Sequence, residues 1–446
     1  MKTFVKNFAL GLSVFALSAT TVLAQQPTIN NFRPYDKSGV GMFESPKDKQ
    51  AKFDGLKVRF GAGFTQQYQI LNHSNVPDTG SAFKLKPITG GFGTAMANLN
   101  MDVQLEKGIR LNVTTYLSAR HHNEAWVKGG YIQFDDLSFL GVSALDDIMN
   151  YLTIRVGHME VNYGDAHFRR SDGGATLQNP FLENNIVDAF ATEIGADILF
   201  RTGGFLGLVG VTNGAIKGSV DAINQTAIDK DTSKSPAFLF KVGYDDKIGD
   251  NMRLRVTGSG YMISSAQSNT LFWGDRTGSN YWMVMEPTTA FYTANAWSGR
   301  INPGMSDKVT AFQINAFFKV SGLEFFGTYE TAKGRNANDK DPADVTGKTA
   351  LDRSFNQLAA DVLYRFGAKE NVYLGARYNM VKGNFITSNI TEQNISRIAV
   401  AAGWFVTENV MIKGEYVTQT YKDYPVKHIF SEGKFDGIVF EAAVGF

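Results

Sequence analysis

Charged residues recurring at every second position along apolar segments are the first chemistry this sequence offers. On one parity stand Lys57, Arg59, Arg110, Arg120, Arg155, Arg201, Lys241, Arg253, Arg255, Lys319, Arg365, Arg377, Arg397 and Lys413. The same parity carries Asp102, Asp135, Glu193, Asp197, Asp245, Glu324, Glu330, Asp361, Glu415 and Glu441. That is 14 basic against 10 acidic side chains, an excess of 4 positive charges. A wall with that balance concentrates anions, and rings of charge set selectivity in pores. The competing expectation is that these groups pair with one another and only keep an interior wet. A second charged stretch, Asp165, His167, Arg169, Arg170 and Asp172, lies in the long connection from Asn162 to Ala189. Inside a wide pore it would narrow the passage, with Arg169 and Arg170 attracting anions; outside, it would only keep a loop solvated.

Other chemistry is poorly represented. The chain has no cysteine, which excludes disulfides and thiolate metal or nucleophile chemistry. His121, His122 and Glu124 are metal-ligand types, but adjacent loop histidines rarely converge on one ion, so no metal or other cofactor is expected. No Ser, His and acid set stands out, and Gly90, Gly91 and Gly93 lack the strand-to-helix setting of a phosphate loop. The expectation is therefore of a protein that is not an enzyme. A formal net charge of +1 gives no reason to expect a nucleic-acid partner.

Strands must position the alternating charges, because only a period of two puts charges on one face and apolar groups on the other. Leu56, Val58, Phe60, Ala62 and Phe64 oppose Lys57 and Arg59, and Leu99, Met101, Val103 and Leu105 oppose Asn98, Asn100, Asp102 and Gln104. The pattern repeats through Leu358, Ala360, Val362, Tyr364 and Phe366 to Ile398, Val400, Ala402 and Trp404. Lys128 and His158 break the apolar face, as snorkelling or a bulge that shifts the register would allow. About 16 such strands can be counted, within the range of bacterial barrels. Aromatic residues make up 13% of the chain, Pro only 11 of 446 residues, and mean hydropathy is −0.17, which suits strands around a wet interior rather than a bundle of spanning helices.

Connections alternate short and long. Glu106 to Gly108, Thr202-Gly203, Ser321-Gly322 and Thr407 to Asn409 are short; Leu71 to Gly91, Asn162 to Ala189, Asn213 to Ser235, Ser265 to Lys308 and Lys333 to Arg353 are long. Leu137 to Asn150 breaks the rule, and its Leu140, Leu145 and Met149 suggest a small helix packed under the barrel. The Ser265 to Lys308 loop, with Phe272, Trp273, Tyr281, Trp282, Phe291, Tyr292 and Trp297, would serve a partner or close the pore from above. Phe200, Tyr244, Tyr364 and Phe366 sit beside short turns, and Tyr68, Tyr329, Tyr378 and Tyr416 toward long loops, as two interfacial girdles require. The fold expected is all-β, a transmembrane antiparallel β-barrel over residues 56–446.

Residues 1–24 read as a signal peptide, with Lys2 and Lys6 before an apolar run and Val22-Leu23-Ala24 before the cut. Residues 25–55, with Pro27, Pro34 and Pro46, form an irregular N-terminal leader that stays in the periplasm or enters the lumen. At the other end, Ile438, Phe440, Ala442, Val444 and Phe446 share one parity of a final strand.

A final strand ending in Phe resembles the closing strand of Gram-negative outer-membrane β-barrels, in which Phe440 and Phe446 would belong to the signal read by the barrel assembly machinery. With the strand count and the long Asn162 to Ala189 loop, the mature chain resembles general Gram-negative porins, and its layout is similar to the phosphate-selective porin family. No dense arginine ladder with a lysine cluster lines one wall, so layout rather than phosphate selectivity carries over. The resemblance implies a homotrimer in outer-membrane lipid and a water-filled channel for passive diffusion of small solutes and ions. Its lumen wall would include Arg59, Arg110, Arg155, Arg253, Arg255, Arg377 and Arg397. The alternative is a barrel without an open pore, serving as scaffold, adhesin or secretion-system component.

Overall fold

The computed structural model describes residues 26–29, 31–45, 47, 53–76, 81–118, 124–171, 174–218, 220–249, 251–266, 268–386 and 391–446. The signal-peptide expectation lies outside the described residues, as do Asp172, Arg120, His121 and His122.

One antiparallel sheet of 17 strands closes on itself. The strands are β1 (Lys57–Ser74), β2 (Gly91–Phe92), β3 (Met96–Glu106), β4 (Ile109–Leu117), β5 (Trp126–Phe134) and β6 (Leu152–Glu160). They continue as β7 (Thr192–Thr202), β8 (Phe205–Thr212), β9 (Ala237–Ile248), β10 (Met252–Ile263), β11 (Lys308–Val320) and β12 (Leu323–Lys340). The last are β13 (Ala350–Phe366), β14 (Val372–Gly383), β15 (Gln393–Phe405), β16 (Val410–Lys422) and β17 (Lys434–Gly445). Because β2 is a two-residue stub paired only with Tyr68 and Gln69, the barrel proper has 16 strands.

Closure joins the chain's two ends. β1 pairs with β17 from Gly63↔Gly445 to Ser74↔Lys434 and with β3 from Lys57↔Gln104 to Thr65↔Met96, so no edge is left to pair with another chain. Alternation decides which face each side chain takes. On β13, Leu358, Val362, Tyr364 and Phe366 are exposed while Gln357, Asp361 and Arg365 are buried. An exterior of exposed Leu, Val, Ile and Phe on every wall is what hydrocarbon requires, and strands with all backbone groups paired in a closed ring are what a bilayer tolerates.

Tight turns such as Lys107-Gly108 and Ser321-Gly322 crowd one end, periplasmic in barrels of this type. Gly108 has φ +66°, and a Cβ there would lie 2.2 Å from Cβ of Asp136, so glycine is required at that turn. The Leu137 to Asn150 connection does form a helix, Ser143–Met149, but only its Met149 is buried, so the expected packing of Leu140 under the barrel is corrected: that side chain is exposed. Lys128 is explained by the bulge and not by snorkelling: the β4–β5 register slips between Thr114↔Gly129 and Thr115↔Val127, which turns Lys128 into the interior.

The interior is not an empty bore. The leader and the two long connections before β7 and before β11 all lie within it, and their apolar residues build the core there. Phe43 of the leader nests among Phe168, Phe317 and Phe326; Leu182, Ile186 and Val187 pack with Leu271, Phe272 and Tyr281.

Candidate functional site

The charged loop expected between β6 and β7 runs inside the barrel. Asp165 is fully buried between Lys241, 2.9 Å away, and Arg255, whose Nη2 and Nε each donate to it at 2.8 Å. Burial would raise the Asp165 carboxyl, but these two cations outweigh it and hold the group well below the carboxylate range. His167 packs against Phe168 and bonds Glu160 and Asn162; its burial lowers the imidazole below its usual value. Arg169 donates to Glu324 at 2.8 Å, and Arg170 to Asp188 at 2.8 Å while its guanidinium lies over Phe190. The loop residues are therefore brought to the wall, but each Arg arrives with its own carboxylate.

The wall arginines follow the same rule. Arg59 pairs with Asp102, Arg110 with Asp135, Arg155 with Asp197, Arg253 with Asp245, Arg365 with Glu324 and Arg377 with Asp361. Lys413 and Glu441 meet at 2.7 Å. Arg397 differs: it donates to Gln419 and to the carbonyls of Asn184 and Gly299, so it fastens inward loops to β15. Inward segments bring Asp165 and Glu44 to the wall cations Lys241 and Arg255, and Asp275 to Lys128, while their Glu183 and Asp188 pair with arginines of the loops themselves, Arg170 and Arg300.

The Ser265 to Lys308 loop closes over the same space. Tyr281 donates to Glu415 at 2.5 Å, the Gln69 side chain accepts from the Trp282 amide at 2.8 Å, and Arg300 bridges Glu183 and Asp188. Trp273, Phe291 and Tyr292 remain exposed at its surface.

A strip of wall is left uncovered. An open volume of about 210 Å³ follows the inner face of β4 to β7, far more than the ~10–15 Å³ one water needs. Asn112, Thr114, Gln133, Thr153 and His158 line it from the wall, and Phe32, Arg33, Tyr35 and Glu44 from the leader. Its charged lining comprises Arg33, Lys128, Arg155 and Arg201 against Glu44 and Glu160. Arg155 and Lys128 are paired, with Asp197 and Asp275. Arg33 donates to the carbonyls of Met42 and Phe168, and Arg201 to that of Ser45, and neither forms an ion pair among the described residues. Arg169 and Arg170 do not line this space.

Arg33, Tyr35, Glu44 and Lys47 were not singled out by sequence reasoning, because a segment without periodicity carries no signal of where its side chains point. The one usable hint was Phe32, Tyr35 and Phe43 in an otherwise polar leader, an aromatic content a purely solvated tail does not need. Glu124, the described member of the loop metal set, accepts a bond from Trp126 at 2.6 Å, and no group of three or more metal-ligating side chains is found among the described residues.

The closed barrel matches known structures. The chain is similar to the outer membrane channel DcaP of Acinetobacter baumannii, with a TM-score of 0.51, 10% identity, and coverage of 89% of this chain and 99% of that one. It is equally similar to an anion-selective porin from Comamonas acidovorans, with a TM-score of 0.50, 10% identity, and coverage of 88% and 100%. Its fold is that of the porin-type β-barrels. No protein-family model matches the chain, and no curated protein matches it in sequence. In this porin-type barrel Phe440 and Phe446 both lie on the exposed outer face, and the Phe446 backbone extends the ladder by exchanging bonds of 2.9 and 3.1 Å with Ala62.

Proposed function

We propose that this barrel is a narrow, non-enzymatic outer-membrane channel for passive diffusion of small hydrophilic solutes and ions, with a weak preference for anions. The observation that carries the reading is the open space of about 210 Å³ along β4 to β7, to which Asn112, Thr114, Gln133 and Thr153 contribute polar side chains. Arg33 and Arg201 on that lining, hydrogen-bonded to carbonyls and not to carboxylates, favour anions. Asp165, His167, Arg169 and Arg170 hold the constricting loop in place, each through a wall or loop partner, and Asp172 belongs to the same segment.

Planar-bilayer recording of the purified protein tests this: small, steady single-channel steps are expected, well below those of an unfilled 16-strand bore. A silent bilayer would favour the second reading, a scaffold, adhesin or secretion-system barrel, which the dense interior also supports. The assembled form is proposed to be a homotrimer, checked by cross-linking in detergent. Phe440 and Phe446 are proposed to serve the assembly machinery; truncation of Phe446 should lower the heat-modifiable membrane fraction, and unchanged levels would sink that role.

A further inference from the structure

The hook between β5 and β6 carries more exposed apolar surface than its place at the short-turn end explains. Ser138–Leu140 form a single 3-10 turn, and Ser143–Met149 the short helix that follows. Phe139, Leu140, Val142 and Ile148 are 58, 53, 48 and 50% exposed, as open as Phe200 and Val400 on the outer wall at 42 and 43%, so no described segment packs over them. A surface bathed in water rarely groups so much apolar side chain without something to cover it.

The hook has two sides. A space of about 280 Å³ at the short-turn mouth is lined from the hook by Ser138, Asp146, Asp147, Met149 and Asn150 and from the wall by Arg110, and none of the four exposed apolar side chains lines it. The carboxylates and the buried methionine therefore face the mouth of the barrel, and the apolar set faces elsewhere. Asp146 and Asp147 are the only formal charges from Leu137 to Asn150, so the apolar side has no cation to meet an acidic partner or a headgroup phosphate.

That apolar side runs on into the outer wall. The Tyr151 amide donates to the Ile148 carbonyl at 3.0 Å, and the Tyr151 carbonyl accepts from the Arg201 amide at 2.9 Å, which fastens the end of the hook to β7. The start is held as well, since the Ser138 amide donates to Asp136 at 2.7 Å and Lys107 pairs with the same carboxylate at 2.8 Å. The Tyr151 ring lies 6.1 Å from that of Phe200, and Phe205 on the next strand packs on Tyr244 at 5.2 Å. Tyr151, Phe200 and Phe205 are all exposed, an aromatic row of the kind that marks where acyl chains give way to headgroups. A two-sided segment joined to such a row meets the same layer, with its apolar side buried in lipid and its polar side wet.

We infer that the hook from Leu137 to Asn150 is a membrane-interface anchor whose Phe139, Leu140, Val142 and Ile148 sit in the phospholipid of the periplasmic leaflet. The inference rests on an outer wall that faces lipid, and it holds whether or not the barrel conducts. The chain has no native cysteine, so single nitroxide labels report one position at a time. In the full chain in phosphatidylcholine vesicles, Phe139→Cys and Ile148→Cys are compared with Val400→Cys on the outer wall and Asp146→Cys at the mouth. The readout is collision with oxygen, which concentrates in hydrocarbon, and with an uncharged nickel chelate, which stays in water. Both hook labels are expected to meet nickel about threefold or more less often than Asp146→Cys, and oxygen at least as often. Added phosphatidylglycerol should leave both rates unchanged, and dependence on it would overturn apolar insertion as the cause. Leu140→Cys and Val142→Cys give the same reading if either of the first pair assembles poorly. Nickel access equal to that of Asp146→Cys overturns the anchor, and shielding from both probes overturns it in favour of a protein contact. A Val400→Cys label open to nickel overturns the lipid setting itself.

Discussion

Arg169 donates to Glu324 at 2.8 Å, and the same carboxylate accepts from Arg365 at 3.0 Å, so the arginine is paired at the β12 and β13 wall and does not line the open strip. Arg169→Ala should leave the reversal potential in a salt gradient unchanged. It should loosen the inward loop by about 1–3 kcal/mol, the range for losing a buried hydrogen-bonded partner whose mate keeps another. Arg33→Ala and Arg201→Ala remove cations that line the strip, and each should shift the reversal potential toward cation preference. A shift from Arg169→Ala equal to theirs would place the permeation path on the wrong side of the loop.

Val400 and Ala399 are neighbours on β15 that face different media. Val400 is exposed on the outer wall, whereas Ala399 is buried against Phe181 together with Ala401. Val400→Arg should destabilise the barrel by about 2–4 kcal/mol, the cost of a charge at the lipid midplane. Ala399→Arg, which an open wet lumen would tolerate, should also impair folding because the inner face is packed there. Thr114→Lys, on the open strip, should fold normally. Heat-modifiability on gels ranks the three, and normal assembly of Ala399→Arg would contradict a filled lumen at that height.

Acid should loosen the leader before it melts the barrel. Burial alone would raise Glu44, but Arg255 and Lys241 more than offset it and hold its carboxyl at about 2. A folded value below the unfolded one of 4.5 means stabilisation present above 4.5 and lost as the pH falls toward 2. His167 is lowered by burial despite facing Glu160, with Lys241 and Asp165 nearby, so its contribution is complete above 6.5 and is lost as the unfolded state takes up a proton below that. Both signs agree. Mean current and current noise should rise as the pH falls from about 5 to about 3, and Glu44→Gln should show the raised noise already at neutral pH. A flat pH profile would count against the leader's electrostatic anchoring.

The barrel was legible because its physics is local. A bilayer outside and polar groups inside impose alternation on each strand independently, so Leu358 and Asp361, or Val400 and Arg397, declare their faces without knowledge of any neighbour. Hairpin turns such as Lys107-Gly108 are equally local, and with the closing strand they determined strand number and the alternation of short and long connections. The break at Lys128 was visible as a break; whether it was a bulge depended on the β4–β5 register, which is a relation between strands.

The interior belonged to the tertiary structure. Strand residues counted alone suggested a positive wall, but net charge inside a closed volume also includes whatever folds in, and Glu44, Asp165, Glu183 and Asp188 lie in stretches with no period to show which way they point. That Arg255 holds Asp165 and Glu44 at once, from segments 121 positions apart (165 − 44), and that Asn31 and Lys47 return to one aspartate, are facts of closure in space. Alternation along a strand separates lipid from lumen because each residue meets one medium or the other. It is silent about what fills the lumen, since burying a paired charge there depends on distances between residues that only the folded chain sets.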